Sequence, residues 1–260
     1  MNPTALHRPP TRRQSLGLLS ACALAPAWAR AAEPRRCAVV SLLGDEMVLV
    51  YAAPVTGTSL DRNGRRTLAD ATGSLDKIAL AATGKAIETH EPGARAVLLT
   101  VPPSPLHQTP ETLFDGSSIT LPGSLVNALD QAQATQVVLL TKHRGPASIA
   151  LADSKIGVGA LRGLGYYIDR VTGIRMVESG HTGTGLLAAY VYMRLTLADA
   201  RTGAVLRQRL VAATRAYPVA SSERAVDPWE VLTAQQKVAG LRGLLESRLA
   251  KEIPALMATN

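Results

Sequence analysis

A mixed α/β fold is predicted for this chain: a strand-helix-strand-helix-strand first half, antiparallel strands in the second half, and a long C-terminal helix packed on the sheet. Three observations predict it. Residues 190–215, YVYMRLTLADARTGAVLRQRLVAATR, read as a β-hairpin. Val191, Met193, Leu195 and Leu197 alternate there with Tyr190, Tyr192, Arg194 and Thr196, the period of a half-buried strand. Upstream, apolar runs at 38–43, 96–101 and 137–141 are separated by segments of helical spacing, the order of a parallel α/β layer. Downstream, Val231, Ala234, Val238, Leu241, Leu245 and Leu249 form one stripe of a long helix.

The runs at 38–43 and 47–52 flank Gly44-Asp45-Glu46 and predict a hairpin or two consecutive strands. Polar, Gly-rich residues 56–73 read as a long solvated loop that includes Arg65 and Arg66. A helix follows from about Ser74, which can cap it, with Leu75, Ile78, Ala82 and Ala86 inward, and Pro92-Gly93 stops it. The next strand, 96–101, is continuously apolar and predicted to be buried on both faces. Pro102, Pro103, Pro105, Pro110 and Pro122 mark a long surface excursion at 102–122. A helix over 121–133, with Leu125, Val126, Leu129 and Ala132 inward, leads to the strand at 137–141.

From Ser148 the pattern changes to consecutive strands, SIALAD and then GALRGLGYYID. Gly157, Gly159, Gly163 and Gly165 do not make a phosphate loop, because no helix start and no Gly-Lys-Ser/Thr follows; they predict bends or close backbone approach. Asp153, Asp169 and Asp199 at strand ends fit turns. In the central hairpin, 199–203 is the turn, and the return strand places Leu206, Leu210 and Ala212 on one side and Arg207 and Arg209 on the other. Asp227, Pro228 and Glu230 predict the start of the C-terminal helix and Pro254 its end, while Gly240 and Gly243 let it lie close on the sheet.

The N-terminus is a targeting segment. Residues 1–31 hold Arg8, Arg12, Arg13 and Arg30, no acid, and a short apolar run at 16–29, the pattern of a signal peptide. Its length and Pro26 argue against a permanent span. Residues 11–16, TRRQSL, partly match the twin-arginine motif, with Ser15 and Gly17 in place of the usual Phe and Lys. Both that route and the general secretory route fit. Ala27-Trp28-Ala29 and Ala29-Arg30-Ala31 offer cleavage sites that leave a soluble protein. Alternatively Leu19-Ser20-Ala21-Cys22 fits a lipobox, with 1–21 as the signal and Cys22 as the lipidated first residue. The remainder, 32–260, is one α/β domain.

The leader's arginines account for half the formal charge, which falls from +8 to about +4 without them. With only nine aromatic residues and no basic helix that interleaves them, the chain lacks a nucleic-acid footprint. Cys37 alone remains after soluble cleavage, which excludes an intramolecular disulfide, and it reads as a small buried apolar residue. His7, His90, His107, His143 and His181 have no paired spacing, so neither a metal nor a cofactor is expected. No G-x-S-x-G motif carries a serine. The best chemical constellation is Thr141-Lys142-His143-Arg144 after the 137–141 strand. Ligands gather at strand carboxyl ends, so Lys142, His143 and Arg144 could bind an anion and His143 could act as a general base. The alternative is a polar strand end entering the Gly145-Pro146 turn.

An export signal, the AVVSLL strand, two helix-strand units, a glycine-bearing strand and then RLTLADARTGAVL before a long helix resemble a group of bacterial envelope proteins. These are the curli-secretion lipoproteins, the penicillin-binding-protein activator lipoproteins and the N-terminal domain of the Tol-system periplasmic protein. Arg194-Leu195, Asp199, Thr202-Gly203 and Val205 carry the likeness. It implies a non-enzymatic binding or assembly accessory, in the periplasm or on the periplasmic face of the outer membrane, with envelope protein partners and possible homo-oligomers. The rival reading is a periplasmic hydrolase or anion-binding enzyme that uses Lys142, His143 and Arg144. A purely structural envelope subunit is the third.

Overall fold

The computed structural model describes residues 35–53, 61–70, 72–151, 153–175, 182–219 and 227–258. Its strands are β1 Arg36–Leu42, β2 Glu46–Tyr51, β3 Gly64–Ala69, β4 Arg95–Leu99, β5 Phe114–Asp115, β6 Ser118–Ile119, β7 Gln136–Lys142, β8 Arg144–Pro146, β9 Ile149–Ala150, β10 Lys155–Ile156, β11 Ala160–Arg175, β12 Thr182–Asp199 and β13 Val205–Pro218. The α-helices are α1 Ser74–His90, α2 Pro105–Gln108, α3 Gly123–Gln131 and α4 Ala234–Met257. This is the mixed α/β architecture the sequence predicts.

The sheet is built on β12. One edge of β12 pairs with β13, and the other pairs first with β11, up to Tyr192, and then with β7, from Met193 onward. Two half-sheets, β3-β2-β11 and β7-β1-β4, therefore lie end to end along one strand and part at Tyr192–Met193. Strand β1 runs parallel to both β7 and β4, as the strand-helix order requires, and β2 runs parallel to β11. The chain thus passes from β1 to β2 without reversing, and the hairpin that Gly44-Asp45-Glu46 allowed is not formed.

Both faces of the sheet are covered. Helices α1 and α4 pack on one face, against Val39, Leu140, Leu187, Val191 and Leu195 among others. On the other face, Leu125 and Leu129 of α3, with Leu113 and Ile119, cover Val40, Val137 and Leu139. Ile149 and its neighbours cover Tyr167, Tyr190 and Tyr192. The alternation in β12 is real, yet the strand is not half-buried: Tyr190 and Tyr192 are 0% and 1% exposed. Their hydroxyls make that burial tolerable, since Tyr190 Oη donates to Val48 O at 3.1 Å and Tyr192 Oη to Pro146 O at 2.9 Å. Gly165 sits between Tyr190 and Val48 in register, and a Cβ there would collide with the Val48 carbonyl. This is the close approach expected of the strand glycines.

Turn and cap chemistry follows the sequence with some changes of address. Asp199 Oδ1 accepts from Arg201 N and Thr202 N, and Gly203 takes φ +71. Asp70, not Ser74, holds the start of α1, accepting from Leu75 N at 2.8 Å. Asp227 accepts from Trp229 N but opens a short 3₁₀ turn, Pro228–Val231. Helix α4 starts later, where Thr233 and Gln236 form the capping box. It continues past Pro254 to Met257 and buries Leu241, Leu244, Leu245, Leu249 and Ile253, while Val238 is 55% exposed. Gly240 allows the close approach to the sheet, because a Cβ would lie 2.5 Å from Tyr217 Oη; Gly243 meets only an ordinary contact.

Other expectations are corrected by tertiary pairing. Arg65 and Arg66 lie in β3, which pairs with β2, instead of in a loop. Strand β4 is the edge next to β1 and leaves Leu98 46% exposed, so it is not buried on both faces. Val126 of α3 is also exposed. In β13 the predicted sides are right, but the side facing α4 is that of Arg207, Arg209, Val211 and Ala213, of which Val211 and Ala213 are buried, whereas Leu206 and Leu210 are exposed. The excursion at 102–122 folds onto the sheet as α2, a 3₁₀ turn and the β5–β6 ribbon, and buries His107, Leu113 and Ile119. The signal segment, Cys22 and His181 lie outside the described residues.

Candidate functional site

The parting of the half-sheets leaves their strand ends facing one another. Strand β1 ends at Leu42, β7 ends at Lys142, and the Glu46 end of β2 begins beside them. Into this fork projects Lys142, 5% exposed, with Nζ donating to Glu46 Oε1 at 2.9 Å and lying 2.5 Å from Asp45 Oδ1 as an ion pair without an aligned hydrogen bond. Two carboxylates on one ammonium keep the charge compensated where water is scarce.

Beside Lys142 opens a cavity of about 320 Å³, lined by Glu46, Val48, Val50, Arg65, Thr67, Lys142, Arg144, Ala160, Arg162, Leu164 and Tyr190. Two of these, Lys142 and Arg144, belong to the polar strand end that stands out in the sequence. His143, whose imidazole is held below its ordinary range by burial and then by the nearby Arg194 charge, is not part of the lining. Successive strand residues point to opposite faces, which separates it from its two neighbours. Arg65 and Arg162 join the site instead, brought in by β3 and β11, and no local motif marks them.

The arginines are held by few acids. Asp61 Oδ2 accepts from Arg65 Nη2 at 2.5 Å and from Arg144 Nη2 at 3.4 Å, and Glu111 accepts from Arg162 Nη2 at 3.3 Å. Burial alone would raise the Asp61 carboxyl, but the Arg65 bond and the Asn63 and Ala160 amides outweigh it and hold it below its usual range.

A second polar cluster lies buried behind the fork. Asp76 Oδ1 accepts from Ser41 Oγ at 2.5 Å, Leu43 N at 3.1 Å and Gly44 N at 3.0 Å, while Oδ2 lies 3.2 Å from His107 Nε2. Ser41 and His107 are each 1% exposed. The Asp76 bond, more than the opposing effect of burial, raises the His107 imidazole above its ordinary value. The order is serine, aspartate, histidine, with the carboxylate in the middle. Ser41 therefore donates directly to the carboxylate, and no imidazole stands against its hydroxyl as it would in a serine-histidine-aspartate triad. Ser74 and Lys77 stand at an S-x-x-K spacing, yet Ser74 Oγ donates to Asp70 Oδ2 and Lys77 Nζ to Thr72 O. Among the described residues no group of three or more His, Cys, Asp or Glu is gathered to hold a metal, and no helix is long and apolar enough to cross a membrane.

No family model and no curated protein matches the chain. Among solved structures it is similar to one described as a neuraminyllactose-binding hemagglutinin homolog from Helicobacter pylori, at 7% identity over 87% of this chain and 89% of that one, with a TM-score of 0.41. It is also similar to the PelC dodecamer from Paraburkholderia phytofirmans, at 11% identity over 88% and 91% of the two chains, with a TM-score of 0.33. Identities this low leave function to the chain's own residues.

Proposed function

We propose that this is an exported protein of the bacterial envelope that works by binding, as an accessory to other envelope components, without catalysing a reaction. The observation that carries the reading is the chemistry of the cavity lining. It offers donors and apolar surface but no nucleophile beside a base: Thr67 is the sole hydroxyl besides Tyr190, Glu46 is bound to Lys142, and His143 lies elsewhere. The acid-base groups that are close together, Ser41, Asp76 and His107, are buried and bonded to each other in an order unsuited to acyl transfer. Export rests on the 1–31 leader, and attachment through Cys22 is the lipid-anchored form of the same proposal. The resemblance to curli-secretion and penicillin-binding-protein activator lipoproteins points the same way, and self-association belongs to it.

Intact-mass measurement on fractionated cells tests this. A chain starting near Ala32 in the periplasm, or an acylated chain starting at Cys22 in the membrane fraction, is expected; a chain that keeps residues 1–31 in the cytoplasm overturns export. Sedimentation of the mature protein reports self-association. His143→Ala should leave biological function intact, and its loss without loss of folding would favour the enzyme reading.

A further inference from the structure

We infer that the arginine-rimmed cavity binds a small amphiphilic anion, a phosphate monoester or carboxylate that carries an apolar group. The inference rests on the binding role proposed above and gives it a ligand class. Arg144 of β8 and Arg162 of β11 are direct cross-strand partners, and both line the cavity. Like charges placed opposite one another on antiparallel strands destabilise the pairing. Arg65 adds a third guanidinium from β3.

Among the described residues the acids do not saturate these groups. Asp61 is shared between Arg65 and Arg144, its contact with Arg144 is long, and the Arg144 side chain remains 65% exposed. Each guanidinium has five N–H donors in a planar fork that matches two oxygens of a phosphate or carboxylate. Arg65 uses some of its donors on Asn63 O and Ala160 O, and Arg162 uses one on Gln108 O, so Arg144 keeps the most for a ligand. Lys142 does not compete, because Asp45 and Glu46 already hold it.

Apart from Thr67 and the Glu46 carboxylate held by Lys142, the rest of the wall is apolar. Half-buried Val48 and Ala160 give it its accessible apolar surface, backed by Val50, Leu164 and Tyr190, which are at most 1% exposed, with the Tyr190 hydroxyl turned to the Val48 carbonyl. An oxyanion alone would leave that surface wet. A ligand with an aliphatic or aromatic body would cover it, and the volume lies at the lower end of the roughly 300–1,000 Å³ of small-molecule sites.

Isothermal titration of the exported protein with octyl phosphate, and separately with inorganic phosphate, tests the proposal, using Arg144→Gln and, as a control, Arg242→Gln on the exposed face of α4. Octyl phosphate should bind at least about tenfold more tightly than inorganic phosphate, and Arg144→Gln should weaken it by about tenfold or more, while Arg242→Gln leaves it unchanged. Because one member of an opposed like-charge pair is removed, Arg144→Gln should melt at or above the parent's temperature. A residue with a purely structural role would not lose binding while keeping or gaining stability. No heat with octyl phosphate, equal affinity for the two phosphates, or equal affinity in Arg144→Gln and parent would each overturn it. These outcomes leave the fractionation result untouched, so the ligand class can fail while the exported binding role stands, and the reverse.

Discussion

Removing the Asp76 carboxylate should destabilise this fold more than almost any other single polar change. Its two oxygens serve Ser41 Oγ, Leu43 N, Gly44 N and His107 Nε2, and Asp76 itself is 7% exposed. In Asp76→Ala the donors of Ser41, Leu43 and Gly44 lose their acceptor at the point where the chain leaves β1 in one half-sheet for β2 in the other. Each orphaned buried donor costs about 1–3 kcal/mol, although relaxation and entering water recover part of the total. Breaking a buried pair by deleting one partner costs about 3–5 kcal/mol, and we expect Asp76→Ala to fall in that range. Asp76→Asn keeps an acceptor for the three donors and can turn its amide toward a neutral His107, so it should cost about 1–2 kcal/mol. Urea unfolding at pH 7 with a common slope measures both. A loss below about 1 kcal/mol for Asp76→Ala would refute the claim that this carboxylate organises the strand crossover.

The pH dependence of the same cluster has a definite sign. His107 has a folded pKa raised above 6.5, so folding takes up a proton, and its contribution is complete below that value and lost as pH rises through the folded pKa. The stability difference between parent and His107→Gln should shrink upward from about pH 6.5, and a difference that grows over that window would contradict it. Leu195 is fully buried under α1 and α4, and Leu195→Ala should cost roughly 2–5 kcal/mol; an unchanged melting temperature would mean the hairpin core is misread. Burial pushes the Cys37 thiol up to about 12, so an aromatic disulfide reagent at pH 8 should label it only in denaturant, and rapid labelling of the native protein would show it open to solvent. Gly165→Ala should cost about 2–4 kcal/mol through collision with the Val48 carbonyl, read in the same urea assay, and parity with parent would show that β2 and β11 can separate at no cost.

Local sequence determined the elements wherever a short-range rule applies. Period-two alternation located β12 and β13, Asp199 and Gly203 placed their turn, and helical spacing located α1, α3 and α4, because each signal depends on residues within a few positions of each other. The strand-helix order also foretold the parallel β1, β4 and β7. Tertiary pairing decided what those signals do not encode. Alternation cannot say whether a strand's second face meets water or protein, so Tyr190 and Tyr192 looked half-exposed until Ile149 and its neighbours covered them. Apolar character cannot tell a central strand from an edge, so the exposure of Leu98 and Leu210 was hidden. The site divided in the same way. Lys142 and Arg144 stood out as a polar strand end, but strand geometry turns His143 away, and Arg65 and Arg162, 79 positions before and 18 after Arg144, arrive only because β2 and β11 lie side by side. Asp76 and His107 are 31 positions apart, and no local pattern announces a buried carboxylate shared by four donors. Such a centre exists only once the backbone has brought its donors together and excluded the water that would otherwise satisfy them.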